Sequence, residues 1–137
     1  MELDLRPDLG YLHVMAAPIT VTPQQTLSAV RCLALREHEV NRVRAVAMAD
    51  VLPRLAAVLV RDFGITRVVV FGSVARADVN ARSDIDIAVL GLAPAAYFTA
   101  LAALANVTSF DIDLIPLEEA SPEILRSIEA EGRQVWP

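Results

Sequence analysis

Residues 67–90 read RVVVFGSVARADVNARSDIDIAVL, and this stretch decides the fold. Arg67–Phe71 is a β-branched apolar run bounded by turn residues, the mark of a buried strand. Gly72 and Ser73 close it. Ten residues later Asp84 and Asp86 open a second strand-like run that ends at Leu90. Strand residues two apart share a face, so the two carboxylates stand together, about 6–7 Å apart along the chain. Carboxylates inside apolar runs must be desolvated beside like charges, and a divalent cation removes that cost.

A third run, Phe110–Ile115, carries Asp111 and Asp113. Either could add a third carboxylate from a neighbouring strand, and spacing alone does not choose between them. Paired ions in phosphoryl-transfer sites lie about 3.5–4 Å apart, a separation two such carboxylates can flank. Ligands that are all oxygen favour Mg²⁺ or Mn²⁺. Backbone N–H groups at the Gly72-Ser73 turn can hold phosphate oxygens, which the glycine lets approach closely. Arg76, one turn on, offers a planar fork to the outer phosphates. Arg82 and Ser83 lie at the same opening. The arrangement suits a metal–nucleoside triphosphate.

The composition narrows the alternatives. The chain has 137 residues, a net charge of −5, 55% apolar and 21% charged residues. It is long enough for one domain with a core and is not a disordered polymer. The negative charge argues against a broad nucleic-acid surface. All twelve basic residues are arginine, so a Walker-type loop, which needs lysine, is excluded. Cys32 stands alone, which rules out an internal disulfide or a cysteine zinc cluster and suggests a small buried apolar residue. His13 and His38 are expected at the surface, leaving no Ser-His-Asp or Cys-His triad. Tyr11, Tyr97 and Trp136 read as packing groups. No apolar run reaches the roughly 18 residues of a membrane span, and the amino terminus lacks a signal-peptide layout. The expectation is a cytoplasmic protein.

The organisation reads as a poorly patterned tail over 1–22, a helical arm over 23–49 and a domain over 50–137. Thr22, Pro23 and Gln25 form a capping-box start. The helix that follows runs to about Met48 and is mostly polar. Asp50 caps a second helix with Pro53 in its first turn, although the two segments also suit one long kinked helix. Gly64 ends it. A helix from about Ala95 to Ala105 turns Tyr97, Phe98, Leu101 and Leu104 inward. Pro116 ends the third strand. Ser121-Pro122-Glu123 starts the last helix, Gly132 closes it, and Arg133–Trp136 forms a short edge strand. The fold class is α/β (α+β): a small mixed β-sheet flanked by helices, with an amino-terminal helical arm.

Over residues 50–137 the chain resembles the minimal nucleotidyltransferases of the DNA polymerase β superfamily. The shared pattern is Gly-Ser, ten residues, Asp-x-Asp, then a later aspartate between aliphatic residues on an adjacent strand. IDLI at 112–115 is similar to that last segment, which favours Asp113 over Asp111. SPEILRSIEAEGRQVW resembles the closing helix and strand. Members often carry glycine after the arginine at position 76, and here the residue is Ala77. The resemblance implies a nucleotidyltransferase fold, with Asp84, Asp86 and Asp113 catalytic and metal-binding, and Gly72, Ser73, Arg76 and Ser83 nucleotide-binding. It implies Mg²⁺ or Mn²⁺ and ATP. It further implies an antitoxin that transfers AMP to a tyrosine of a HEPN-type toxin, with the arm as contact surface. Self-association is compatible with this reading. Two alternatives stand beside it: a non-catalytic module that neutralises a partner by covering it, and an aminoglycoside-type small-molecule nucleotidyltransferase. The absence of a second substrate domain in these 137 residues weighs against the latter.

Overall fold

The structure is a computed structural model describing residues 20–137. The expected tail, with Tyr11 and His13, lies outside the described residues except for its last three positions. Thr22 and Gln25 cap each other. The Thr22 N–H donates to Gln25 Oε1 at 2.8 Å, and the Gln25 N–H donates to Thr22 Oγ1 at 3.0 Å. This capping box starts α1, Pro23–Phe63.

The helix is continuous through Asp50 and Pro53, so Asp50 caps no second helix. Proline inside a helix removes one hydrogen bond and costs about 3 kcal/mol. Burial outweighs that. Met48, Val51, Leu55 and Leu59 recur at helical spacing and are almost wholly buried. Each buried aliphatic side chain stabilises by about 1.5–3 kcal/mol. Gly64, with φ of +65°, closes the helix, and the Ile65 N–H reaches back to the Leu59 carbonyl.

Contacts divide the chain into two units, between Arg36 and Glu37. Within residues 20–36 no side chain joins a hydrophobic core. Leu27, Val30, Leu33 and Leu35 are exposed there. Cys32 is exposed as well, not buried as its residue type suggested.

The second unit is built on β1 (Arg67–Phe71), α2 (Gly72–Arg76), β2 (Ile85–Leu90), α3 (Tyr97–Ala105), β3 (Ile112–Pro116), α4 (Pro122–Glu131) and β4 (Arg133–Trp136). The sheet order is β3-β2-β1-β4. β1 is antiparallel to β2 and β4, and β2 is parallel to β3. Alternation sorts the strand residues onto two faces. Val68, Val70, Ile85, Ile87, Val89 and Leu114 pack with the Met48–Leu59 stripe of α1. Val69, Phe71 and Ala88 pack with Ile115, Ile124 and Ile128 on the other face. Ser121 caps α4 by accepting from the Ile124 N–H, as its sequence signature indicates. Tyr97 packs inward and donates to the Leu114 carbonyl at 2.8 Å. Phe98, expected inward, is 80% exposed. Neighbouring helix positions diverge by about 100°, and Tyr97 takes the inward direction.

Ala77 follows α2 in the left-handed conformation, with φ of 57°. Its methyl makes that conformation costly, by about 1–2 kcal/mol. Replacing Ala77 with glycine relieves the strain, while the looser unfolded chain takes back part of the gain. Ala77→Gly is expected to raise stability by about 0.5–1 kcal/mol. The shift of the urea midpoint at unchanged slope measures it, and an unmoved or lowered midpoint contradicts the strain.

Candidate active site

β1 ends at Phe71, and Phe71 pairs with Asp86 on β2. Asp86 in turn pairs with Asp113 on β3. Paired residues in adjacent strands share a face, so Phe71, Asp86 and Asp113 line up across three strands on the α4 side of the sheet. The register is held by the opposite face, where Ile85 pairs with Ile112 and Ile87 with Leu114 in the core. A slip by one residue would bury the acids and expose the aliphatics.

Gly72 sits where β1 turns into α2, with φ of +71°. A side chain there would collide with the Asp86 carboxylate, whose Cγ would lie 3.0 Å from an added Cβ. The glycine therefore meets two demands at once: a left-handed backbone and the close approach of a carboxylate. Ser73 follows it half-buried, and its carbonyl accepts the Asp78 N–H at 2.9 Å.

Asp86 is half-buried, and its carboxyl is pushed up to about 6 from the usual 3.8. Desolvation is the main cause. The charges of Asp113 and Asp84 add to it, Arg76 pulls the other way, and Glu131 adds again. These four charged groups thus surround Asp86 electrostatically. Asp84 lies one residue before β2 and is exposed, as is Asp113. Asp111 meets β2 through its backbone, its carbonyl accepting the Ile85 N–H at 2.9 Å. Among the described residues, no three acidic, histidine or cysteine side chains are gathered tightly into a metal cage. The trio is instead an open array of carboxylates in mutual repulsion. That donor chemistry fits a divalent hard cation, which would relieve both the repulsion and the desolvation of Asp86.

Arg76 stands at the end of α2, and its Nη1 donates to both oxygens of Glu131, at 2.8 and 2.9 Å. The pair holds the guanidinium further in its charged form, Glu131 being the main cause. It also sets Arg76 near enough to Asp86 to offset part of the acidic field. Glu131 is a charged neighbour of the site that the sequence motifs miss. The signal is indirect: it is the last residue of α4, and Gly132 turns the chain straight into β4 beside β1. A carboxylate at a helix C-terminus is disfavoured by the helix dipole, and the arginine offsets this. Ser83 is buried in the loop before β2, its Oγ accepting the Asn80 N–H at 2.9 Å. Arg82 is exposed, its N–H donating to Asn80 Oδ1 at 2.7 Å.

The family model described as polymerase beta, nucleotidyltransferase matches residues 54–137. A crystal structure of a toxin–antitoxin complex with AMP-PNP shares 30% identity, covering 61% of this chain and 72% of that one at a TM-score of 0.54. A toxin–antitoxin complex, MntA–HpeT, carrying two aspartate-to-glutamate substitutions two positions apart, shares 28% identity at the same coverage and a TM-score of 0.54. No curated protein matches the chain significantly.

The raised Asp86 carboxyl makes stability depend on pH. Between about pH 4 and 6 the folded chain holds a proton that the unfolded chain releases. Folding is therefore favoured at the acid end, and this contribution is lost as pH rises through about 6. In metal-free buffer Asp86→Asn is expected to melt near wild type at pH 4 and above wild type at pH 8. Circular dichroism melting at the two pH values checks this, and a variant that loses stability at pH 8 contradicts it.

Proposed function

The chain belongs to the polymerase beta nucleotidyltransferase family, and on that premise we propose that it transfers AMP from ATP to a hydroxyl on a partner protein, breaking the α–β phosphoanhydride bond and releasing pyrophosphate. The partner is a HEPN-type toxin, the acceptor a tyrosine, and the chain its cytoplasmic antitoxin. The observation that carries the reading is the placement of Asp86. It lies against Gly72, opposite Asp113 and within the field of Asp84. Likeness to toxin–antitoxin complexes, one with AMP-PNP, supports the partner and the nucleotide.

Asp84, Asp86 and Asp113 hold Mg²⁺, with Mn²⁺ as a substitute. The bound cation supplies charge neutralisation on the triphosphate and on the attacking oxygen. Gly72 leaves room for the phosphates, and the Gly72-Ser73 turn donates N–H groups to them. Arg76 binds the outer phosphates, exchanging Glu131 for a phosphate oxygen. Ser83 keeps its hydroxyl hydrogen to donate while its oxygen stays in the loop. Asp113, exposed at the end of the row, faces the incoming hydroxyl and helps remove its proton. Positioning and charge compensation supply most of the rate in such transfers.

Among the described residues no helix is long and apolar enough to cross a membrane. The exposed Leu27, Val30, Leu33 and Leu35 give the arm side chains that a partner can cover. They also favour a second reading, in which binding alone neutralises the toxin.

Incubation with α-labelled ATP, Mg²⁺ and the proposed HEPN-type partner is expected to label that partner. The Asp84→Ala, Asp86→Ala double variant should abolish the label. Label that persists refutes the carboxylate assignment. Full relief of toxicity by the double variant selects neutralisation by binding alone. Arg76→Ala removes a charge-assisted bond of about 1.5–3 kcal/mol, so KM for ATP should rise about 10- to 100-fold with little change in melting temperature. An unchanged KM removes Arg76 from the nucleotide site.

A further inference from the structure

A cavity of about 440 Å³ lies on the α1 side of the sheet, away from the carboxylate row. Its position follows from the strand alternation. Arg133 lines it and pairs with Val70, whose face packs on α1. Asp86 pairs with Phe71, which faces α4. The cavity and the carboxylates thus flank the same end of the sheet from opposite faces. They share α2 as a wall: Val74 and the following Ala77 line the cavity, while Arg76 joins Glu131.

The other wall is residues 38–49 of α1, which precede the segment matched by the family model. The volume lies within the range of small-molecule sites. Much of its lining is small and aliphatic: Ala45, Val46 and Ala49 from α1, and Val74, Ala77 and Val79 from α2 and the residues after it. Such short side chains leave room for a flat ring. Asn41 is half-buried in the lining, and its amide offers a donor and an acceptor side by side, the pattern that reads an adenine edge. His38, Arg42 and Arg133 line the cavity against a single acid, Asp78. Arg42 is already bonded to Glu39 at 2.7 Å. That leaves Arg133 and His38 to meet an anion. In a chain of net charge −5 this concentration of basic groups is against the overall sign. Ala77, with its left-handed backbone, is also part of the lining.

We infer that this cavity is a second nucleotide site, which takes a nucleoside monophosphate with its base between α1 and α2, its edge on Asn41 and its phosphate on Arg133. The site is independent of metal. An occupant touches the helix that carries Ser73 and Arg76, so it bears on the other face without entering it.

The test is calorimetric titration of AMP into the full chain in EDTA. One saturable site is expected in wild type and, undiminished, in the Asp84→Asn, Asp86→Asn protein, whose carboxylate row can hold no cation. Asn41→Ala and Arg133→Gln should each weaken binding at least tenfold. Ala49→Phe, at an exposed helical position where folding is not at stake, should block the cavity. No binding in EDTA overturns the inference. So does binding that the three cavity variants leave unchanged, or that the aspartate variants abolish. An acidic peptide that binds at these residues where AMP does not also overturns it, and assigns the surface to a protein segment.

Discussion

The contact between the Asp86 carboxylate and the bare Cα of Gly72 is the constraint from which the rest of the site follows. It requires a strand to end in a left-handed turn while a neighbouring strand delivers an acid to that point. The sheet meets both demands by register. Ile85, Ile87 and Leu114 lock β2 and β3 into the core on one face, and the acids are thereby fixed on the other. The aliphatic residues between the aspartates are as necessary to the site as the aspartates themselves. A stable core on the α1 side sustains an unfavourable row of like charges on the α4 side.

That row explains why a single arginine and a single glutamate matter beyond their surface exposure. Exposed ion pairs contribute little to stability, usually less than about 1 kcal/mol. The Arg76–Glu131 pair is half-exposed and carries no large share of the folding energy. Its consequence is positional. It ties the end of α4 to the end of α2, and sets the cation that, among the described residues, offsets the field on Asp86. Glu131 also adds to that field, so the pair offsets part of the acidic field at Asp86 rather than cancelling it. The remaining negative charge is what a bound cation would answer.

Local chemistry was legible in the sequence where it acts over a few residues. The Thr22–Gln25 and Ser121 caps, the Gly64 stop and the short strand after Gly132 all stand where their residue types indicate. The Gly-Ser turn and the spaced aspartates lie in register because strand period and loop length were both readable. Legibility failed where distant segments decide. Burial of Val51 and Leu55 carries α1 through Pro53 against its local preference. The apolar type of Cys32 and Phe98 does not say whether a covering surface exists, and among the described residues both stay exposed. Glu131 lies 55 residues from Arg76, and no periodicity connects them.

The same reasoning separates the two faces of α2. Five residues cannot form a stable helix alone, since nucleation fixes several torsions for each bond gained. α2 persists because Val74 and Ala75 are buried in the core that also holds the Met48–Leu59 stripe, while Phe71 and Gly72 fix its entry. Any group pressed against Val74 or Ala77 from the α1 side is therefore pressed against the support of Ser73 and Arg76. Such a helix has no rigidity of its own to dissipate a displacement, which reaches the Gly72-Ser73 turn through covalent geometry. The left-handed alanine at its end keeps this support slightly strained. A glycine there would relax it, and would remove one of the side chains that line the cavity wall.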